Sequence, residues 1–416
     1  MELKRVVVTG IGALTPLGNS VPEFWKNLVD GVSGSDIITH FDASKFKTQF
    51  ACEVKNFQIE NYLDKKEARK LDPFVHYALA STDEAVKDAN IDFDNLDRDR
   101  AGVIWGSGIG GLRTFIDEVT SFNAGDGTPR FNPFFIPKMI IDIAPGHISI
   151  KYGLRGPNFA TVSACASSTN AIIDGFNYIR LGMADMIIAG GSEASVNEAA
   201  VGGFNAMHAL STRNDSPKTA SRPFDLDREG FVLGEGAATL VLEEYEHAKR
   251  RGAKIYAEIA GGGLSADANH ITAPHPEGLG AKNVMKNAMR DAGMVPEDLD
   301  YINVHGTSTP LGDISETKAI ISCFGEHAYN LNISSTKSMT GHLLGAAGAL
   351  EAIASILSVQ NDIIPPTINH FTDDPQFDPR LNLTFNKAQK RVVRAALSNT
   401  FGFGGHNASV IFKKAE

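Results

Sequence analysis

One stretch constrains this chain more than any other: Asn158-Phe-Ala-Thr-Val-Ser-Ala-Cys-Ala-Ser-Ser-Thr-Asn-Ala171. It opens with a β-prone run, Phe159 to Val162, and is followed by apolar residues at Ile172, Ile173, Phe176 and Ile179, the spacing of one helical face. Cys165 therefore falls near a strand-to-helix junction, where unpaired backbone N–H groups and the positive end of the helix dipole favour a thiolate. A stabilisation of about 1 to 1.4 kcal/mol lowers a free-cysteine pKa of about 8.5 by about one unit, so the spacing predicts an acidified sulfur. Its small neighbours Ala164, Ala166, Ser167 and Ser168 leave it uncrowded.

Strand, glycine-rich turn and helix recur along the rest of the chain. Arg5 to Thr9 runs into Gly10-Ile-Gly12, Gly102 to Trp105 into Gly106-Ser-Gly-Ile-Gly-Gly111, and Asp185-Met-Ile-Ile-Ala-Gly-Gly191 completes a parallel βαβ unit with the Cys165 helix. A charged helix end around Lys249 to Ala253 separates this half from a looser repeat of it. In the repeat, Lys254 to Ala260 leads into Gly261-Gly-Gly263 and Tyr301 to Val304 into His305-Gly-Thr-Ser-Thr-Pro310. A small-residue helix, Leu343 to Val359, takes the place of the Cys165 helix, and strands Ala395 to Leu397 and Ala408 to Phe412 close a second sheet. The pattern reads as an α/β fold of two duplicated halves, 1–252 and 253–416. Gly10 and Gly12 do not make a dinucleotide site, because the third glycine of that fingerprint is misplaced.

With 416 residues, 43% of them hydrophobic, the chain is long enough for an ample core. A formal net charge of −10 argues against a general nucleic-acid binder, so an acidic partner must be met by a local patch. Asp64-Lys-Lys-Glu-Ala-Arg-Lys-Leu71 offers one, with Lys65, Lys66, Arg69 and Lys70 within about two helical turns. Three scattered cysteines, Cys52, Cys165 and Cys323, form neither a disulfide framework nor a CxxC metal site. The apolar Leu343–Val359 run is interrupted by Glu351 and reads as a buried core helix, with no membrane span expected. The opening residues, Met1-Glu2-Leu-Lys-Arg, carry no secretory signal pattern, so a cytoplasmic protein is expected.

Four motifs sit where parallel strands hand over to loops, the place where open α/β sheets bind ligands. They are Ser163-Ala-Cys-Ala166, His305-Gly-Thr-Ser-Thr-Pro310, Lys337-Ser-Met-Thr-Gly-His342 and Phe401-Gly-Phe-Gly-Gly405. A thiolate nucleophile needs a carbonyl carbon and donors for the oxyanion it creates; amides at Cys165 and in the Phe401–Gly405 turn are the candidates. Two histidines suit a different step, stabilising an enolate on a thioester carbonyl, for which they should be neutral and donate through a fixed ring nitrogen. A cation such as Lys337 helps by keeping them uncharged.

In this order and spacing the four motifs resemble the condensing enzymes of fatty-acid synthesis, the β-ketoacyl-acyl-carrier-protein synthases, and the likeness runs over essentially the whole chain. The resemblance implies a thiolase-like fold of five αβαβα layers built from two βαβαβ halves, usually as a homodimer. It implies a ping-pong reaction in which Cys165 takes an acyl chain from acyl carrier protein and a decarboxylated malonyl unit then attacks it. Carried across, His305 and His342 bind the malonyl thioester carbonyl, Lys337 supports the site, and the Cys165 and Phe403 amides form the oxyanion hole. Phe403 is the gate, with Phe401 beside it in the pocket wall. Thr272, Thr307 and Thr309 bond the phosphopantetheine arm, which the carrier protein brings, so no cofactor of the enzyme's own is required. Ile109 lines the acyl tunnel and favours the type II subclass, and Phe134 or Phe135 of a neighbouring copy completes the wall. Lys65, Lys66, Arg69, Lys70, Arg130 and Arg213 become docking groups for the acidic carrier protein. Asn303, Glu351, Ser398 and Asn399 match positions where relatives hold a structural Na⁺ or K⁺ ion.

One departure is His406, where relatives commonly carry Thr; it bears on the hydrogen bonds behind the gate. A coenzyme A-dependent thiolase would need a second cysteine in the late glycine-rich turn, and that turn has none. A non-catalytic chain-length partner subunit would lack the nucleophile that Cys165 supplies. A specialised polyene or polyketide ketosynthase would use the same residues.

Overall fold

The structure, a computed structural model, describes residues 3–415. Met1 and Glu2, which open the segment read above for a leader, and Glu416 lie outside them. Among the described residues ten strands form one continuous sheet. They are β1 (Val6–Leu14), β2 (Ala101–Gly106), β3 (Asn158–Thr161), β4 (Met186–Glu193), β5 (Gly236–Glu244), β6 (Ala257–Ala266), β7 (Tyr301–Asn303), β8 (Asn332–Ser334), β9 (Ala395–Gly402) and β10 (His406–Lys413). Across the sheet the order is β8-β7-β9-β10-β6-β1-β5-β4-β2-β3.

This order contains the duplication. In the first half β2 pairs parallel with β3 and β4, while β5 runs antiparallel to β4 and β1. In the second, β7 pairs parallel with β8 and β9, while β10 runs antiparallel to β9 and β6. The expected second sheet is not separate, because β1 and β6 meet antiparallel over Val6–Val8 and Ala257–Ile259 and fuse the halves edge to edge. β8 was missed in the sequence, being a three-residue strand, Asn-Ile-Ser, too short to show a period.

Helices divide the molecule into five layers. α1 (Pro73–Asp88) covers the outer face of the first half against β1, β5 and β4. α3 (Ser167–Arg180) and α5 (Ala347–Asn361) lie in the middle, touching each other and strands of both halves, and α4 (Leu279–Ala292) covers the outer face of the second half; α2 (Leu112–Ala124) lies toward the chain surface, with Thr114 its buried residue. Every residue of α5 from Ala347 to Val359 is buried, which is why that helix reads apolar all round. It starts at Ala347 rather than Leu343, since Leu344 takes φ 49° in the turn before it. Strand β1 is buried along its whole length, as strands covered on both faces must be. Among the described residues no helix is long and apolar enough to cross a membrane.

Candidate active site

Cys165 lies in the single turn Ala164–Ala166 between β3 and α3, with Ala164 at φ 50°. A non-glycine residue in the left-handed region marks a tight elbow, and here the elbow presents the sulfur to a cavity of about 530 Å³. His305, just beyond β7, and His342, in the segment between β8 and α5, line the same cavity. Their rings lie 5.2 Å apart, centroid to centroid, at an interplanar angle of 85°. Cys165 and the two histidines therefore line one shared cavity.

The tautomer of His342 follows from its backbone surroundings. The Leu344 amide donates to Nδ1 at 3.2 Å, so a neutral ring carries its proton on Nε2, where it is a donor. Burial holds both imidazoles well below their ordinary range, and the Lys337 charge pushes the same way. Lys337 is itself buried, hydrogen-bonded to Glu351 on α5, and Ser221 Oγ donates to its carbonyl. Neutral donors beside a fixed cation are the arrangement expected for enolate stabilisation.

The expectation for the thiol is reversed. Burial pushes Cys165 up to about 12, even though Lys337 and the amides of Phe403 and of Cys165 itself favour the thiolate. Desolvation outweighs a helix-end effect of about 1 kcal/mol. The same two amides, the expected oxyanion donors, are close enough to the sulfur to favour its thiolate.

Phe403, the expected gate, and Phe401 both line the cavity, and the Phe401 ring sits 5.6 Å from His305. Their turn is held by backbone bonds: Gly404 N to Ile271 O at 2.7 Å, Gly405 N to Gly402 O at 3.1 Å, and Asp267 N to Gly405 O at 2.9 Å. None of these needs a threonine, so His406 is tolerated; its exposed ring lies against Gly404. Thr272, Thr307 and Thr309 also line the cavity, the last two 3.1 Å apart through their hydroxyls. Ile109 packs in an apolar cluster with Phe204, Phe231 and Leu344, all of them on the cavity wall.

Other expected residues lie elsewhere. Phe134 is 43% exposed and Phe135 half-buried beside it, and neither reaches the cavity of its own chain. Lys65, Lys66 and Arg69 are exposed, while Lys70 pairs with Glu67 and lies over the Phe134 ring. Arg130 pairs with Asp126 in the open, and half-buried Arg213 donates to Asp227 O. Near α5, both side-chain polar atoms of Asn303, Ser398 Oγ and Glu351 Oε2 are buried with no hydrogen-bond partner among the described residues, and their three oxygens would suit a monovalent cation. Asn399 is engaged otherwise, donating to Glu316 and accepting from Ser409.

Sequence reasoning missed two buried carboxylates. Glu316 accepts from the His305 and Gly306 amides, both at 2.9 Å, and burial pushes it up to about 7. Glu193 holds the Ser107–Gly110 loop. A lone acidic residue ending an otherwise apolar strand, as in Met186–Glu193, was the available signal for the second.

The model of the β-ketoacyl synthase N-terminal domain matches residues 3–248, and that of the C-terminal domain residues 256–371. The chain is 52% identical over 414 residues to the 3-oxoacyl-[acyl-carrier-protein] synthase 2 of Staphylococcus aureus strain N315, covering 99% of each. Its fold superimposes on the ishigamide ketosynthase/chain length factor with a TM-score of 0.93 at 34% identity, covering 100% of both chains. It also superimposes on a type II polyketide-synthase acyl-carrier protein in complex with its ketosynthase, with a TM-score of 0.89 at 32% identity and 100% coverage of both.

Proposed function

The chain belongs to the β-ketoacyl synthase family, thiolase-like in fold, and from that premise we propose that it is a condensing acyltransferase of fatty-acid elongation. It joins malonyl-acyl carrier protein, with loss of CO₂, to an acyl chain held on Cys165 and releases 3-oxoacyl-acyl carrier protein. The Cys165 sulfur attacks the acyl thioester, and its proton leaves with the phosphopantetheine sulfur. A thiol pushed up to about 12 is protonated at rest and needs that acceptor. The oxyanion formed accepts from the Cys165 and Phe403 amides.

In the second half-reaction the malonyl thioester oxygen accepts from His342 Nε2–H and from His305. Loss of CO₂ leaves an enolate on that oxygen, its carbon attacks the acyl group, and Cys165 departs as a thiolate that regains a proton. The observation that carries this reading is the Leu344 amide on His342 Nδ1, which leaves the Nε2 donor free for the cavity shared with Cys165. Cys165→Ala is expected to lose acyl-enzyme formation and condensation while retaining malonyl decarboxylation; full condensing activity in that variant removes the assignment. A specialised ketosynthase would share these residues, but 52% identity to a 3-oxoacyl-[acyl-carrier-protein] synthase 2 against 34% and 32% to the other two favours elongation of fatty acids.

Acyl carrier protein is the proposed partner, guided by Lys65, Lys66, Arg69, Lys70, Arg130 and Arg213 to the Thr272, Thr307 and Thr309 channel. The proposed assembly is a cytoplasmic homodimer. The open edge of β3 and the exposed side chains Phe115, Phe122, Phe131, Phe134, Ile136 and Ile140 support a second copy on that side. A Na⁺ or K⁺ ion at Asn303, Ser398 and Glu351 Oε2 would offset the carboxylate oxygen that Lys337 does not reach, with Asn399 as its neighbour.

A further inference from the structure

The loop Ser107–Gly111 carries Ile109 to the cavity, and the turn Leu344–Ala346 carries Leu344 to the same apolar part of its wall. One carboxylate behind that wall joins the two. Glu193, the last residue of β4 and fully buried, accepts from Ser107 Oγ at 2.6 Å, Ile109 N at 3.2 Å and Gly110 N at 3.4 Å through Oε1. Its Oε2 bridges the two segments, accepting from Gly108 N at 3.0 Å and Gly345 N at 3.1 Å. All five donors are neutral.

The segments are also in backbone contact. A Cβ built on Gly345 would stand 2.2 Å from Gly108 N, so a shift of either is felt by the other. No neutral side chain of this size can replace the carboxylate, because the NH₂ of a glutamine would turn donors against backbone donors and leave them unpaired.

We propose that Glu193 is a positioning residue that fixes the spacing between Ile109 and Leu344 and thereby limits the acyl chain length that Cys165 accepts. This rests on the reading of the cavity as an acyl-binding site. Ile109 is aimed by its own amide, Leu344 by the amide of the next residue, and both amides end on one carboxylate. Losing the bridge lets the walls part, which matters to a chain long enough to pass between them and little to one that stops short.

The test measures acyl-enzyme formation on Cys165 by intact mass, with acyl carrier proteins loaded with chains from C6 to C16, for the wild type, Glu193→Gln and Ser107→Ala. Ser107→Ala removes one donor and keeps the carboxylate, so it decides the matter if Glu193→Gln does not fold. The expected result is a rise of about tenfold in the long-to-short rate ratio for Glu193→Gln, the factor of one charge-assisted hydrogen bond, and a smaller rise of the same sign for Ser107→Ala. Equal loss at every length, or an unchanged ratio, overturns the inference. A wild type that forms no acyl-enzyme at any length fails the acyl reading itself, a result distinct from these.

Discussion

Removing Lys337 tests the electrostatic core of the site. Lys337 and Glu351 are 2% and 3% exposed, and each is the other's main compensation for burial. Breaking such a pair from one side costs about 3 to 5 kcal/mol, whereas replacing both partners with apolar groups is often close to neutral. Lys337→Met and Glu351→Leu are therefore each expected to lose several kcal/mol, with the double variant falling well short of their sum. A pH signature separates this from mere repacking. Glu351 is pushed up to about 7 even beside Lys337, and without the cation it rises further. A carboxyl raised above its unfolded value keeps in the native state a proton that the unfolded chain releases, so stability falls as pH rises until the folded pKa is passed. The wild type stops losing stability on this account near pH 7, while Lys337→Met goes on losing about 1.4 kcal/mol per further pH unit. Urea midpoints of the four proteins at pH 7 and 8, at constant m-value, read both effects. Additive single losses, with the Lys337→Met deficit equal at the two pH values, would refute the reasoning.

A thiol pushed up to about 12 stays protonated through the working range, so alkylation of Cys165 by iodoacetamide should rise about tenfold per pH unit from 7 to 9.5. A plateau near pH 8 would restore the acidified sulfur that the helix junction alone suggests. Reversing the exposed Lys65 and Arg69 to Glu should raise the apparent KM for carrier-bound substrate several-fold with kcat kept, and an unchanged KM would leave them a solvated face. Buried Glu235, pushed up to about 8 beside Glu53, burdens the native state above its unfolded pKa. Glu235→Gln should therefore gain on the wild type in urea midpoint between pH 5 and 8, on the order of 1 kcal/mol or more, and equal curves at both ends would count against that ionisation.

What the sequence revealed and what it hid divide along physical lines. The elbow at Cys165, the two histidines of the shared cavity and the glycine-rich Phe401–Gly405 turn were legible because each needs particular residue types at a strand end, and local chemistry announces itself locally. The duplicated halves were legible as a period of strands and helices, although the strand of Asn332–Ser334 is too short to carry one. The thiol's shift could not be read, since burial of a sulfur depends on what the rest of the chain stacks over it. Glu193 and Glu316 were hidden for a related reason: they act on backbone amides remote in sequence, and an amide has no letter of its own.

The duplication also bears on why the proposed nucleophile lies in one half and the proposed stabilising groups in the other. The two elbows occupy matching places before α3 and α5, with Ala164 at φ 50° and Leu344 at φ 49°, so Gly345 stands where Cys165 does. A side chain at Gly345 would drive a Cβ to 2.2 Å from Gly108 N and break the contact that carries the Ile109 loop. The second elbow can therefore present no side chain, because the loop that carries Ile109 already occupies that space. The segment between β8 and the second elbow, far longer than the two residues between β3 and the first, brings Lys337 and His342 to face that sulfur instead. Identical strand order thus gives two chemically unlike elbows, because the Ser107–Gly111 loop packs against the second and leaves no room there for a side chain.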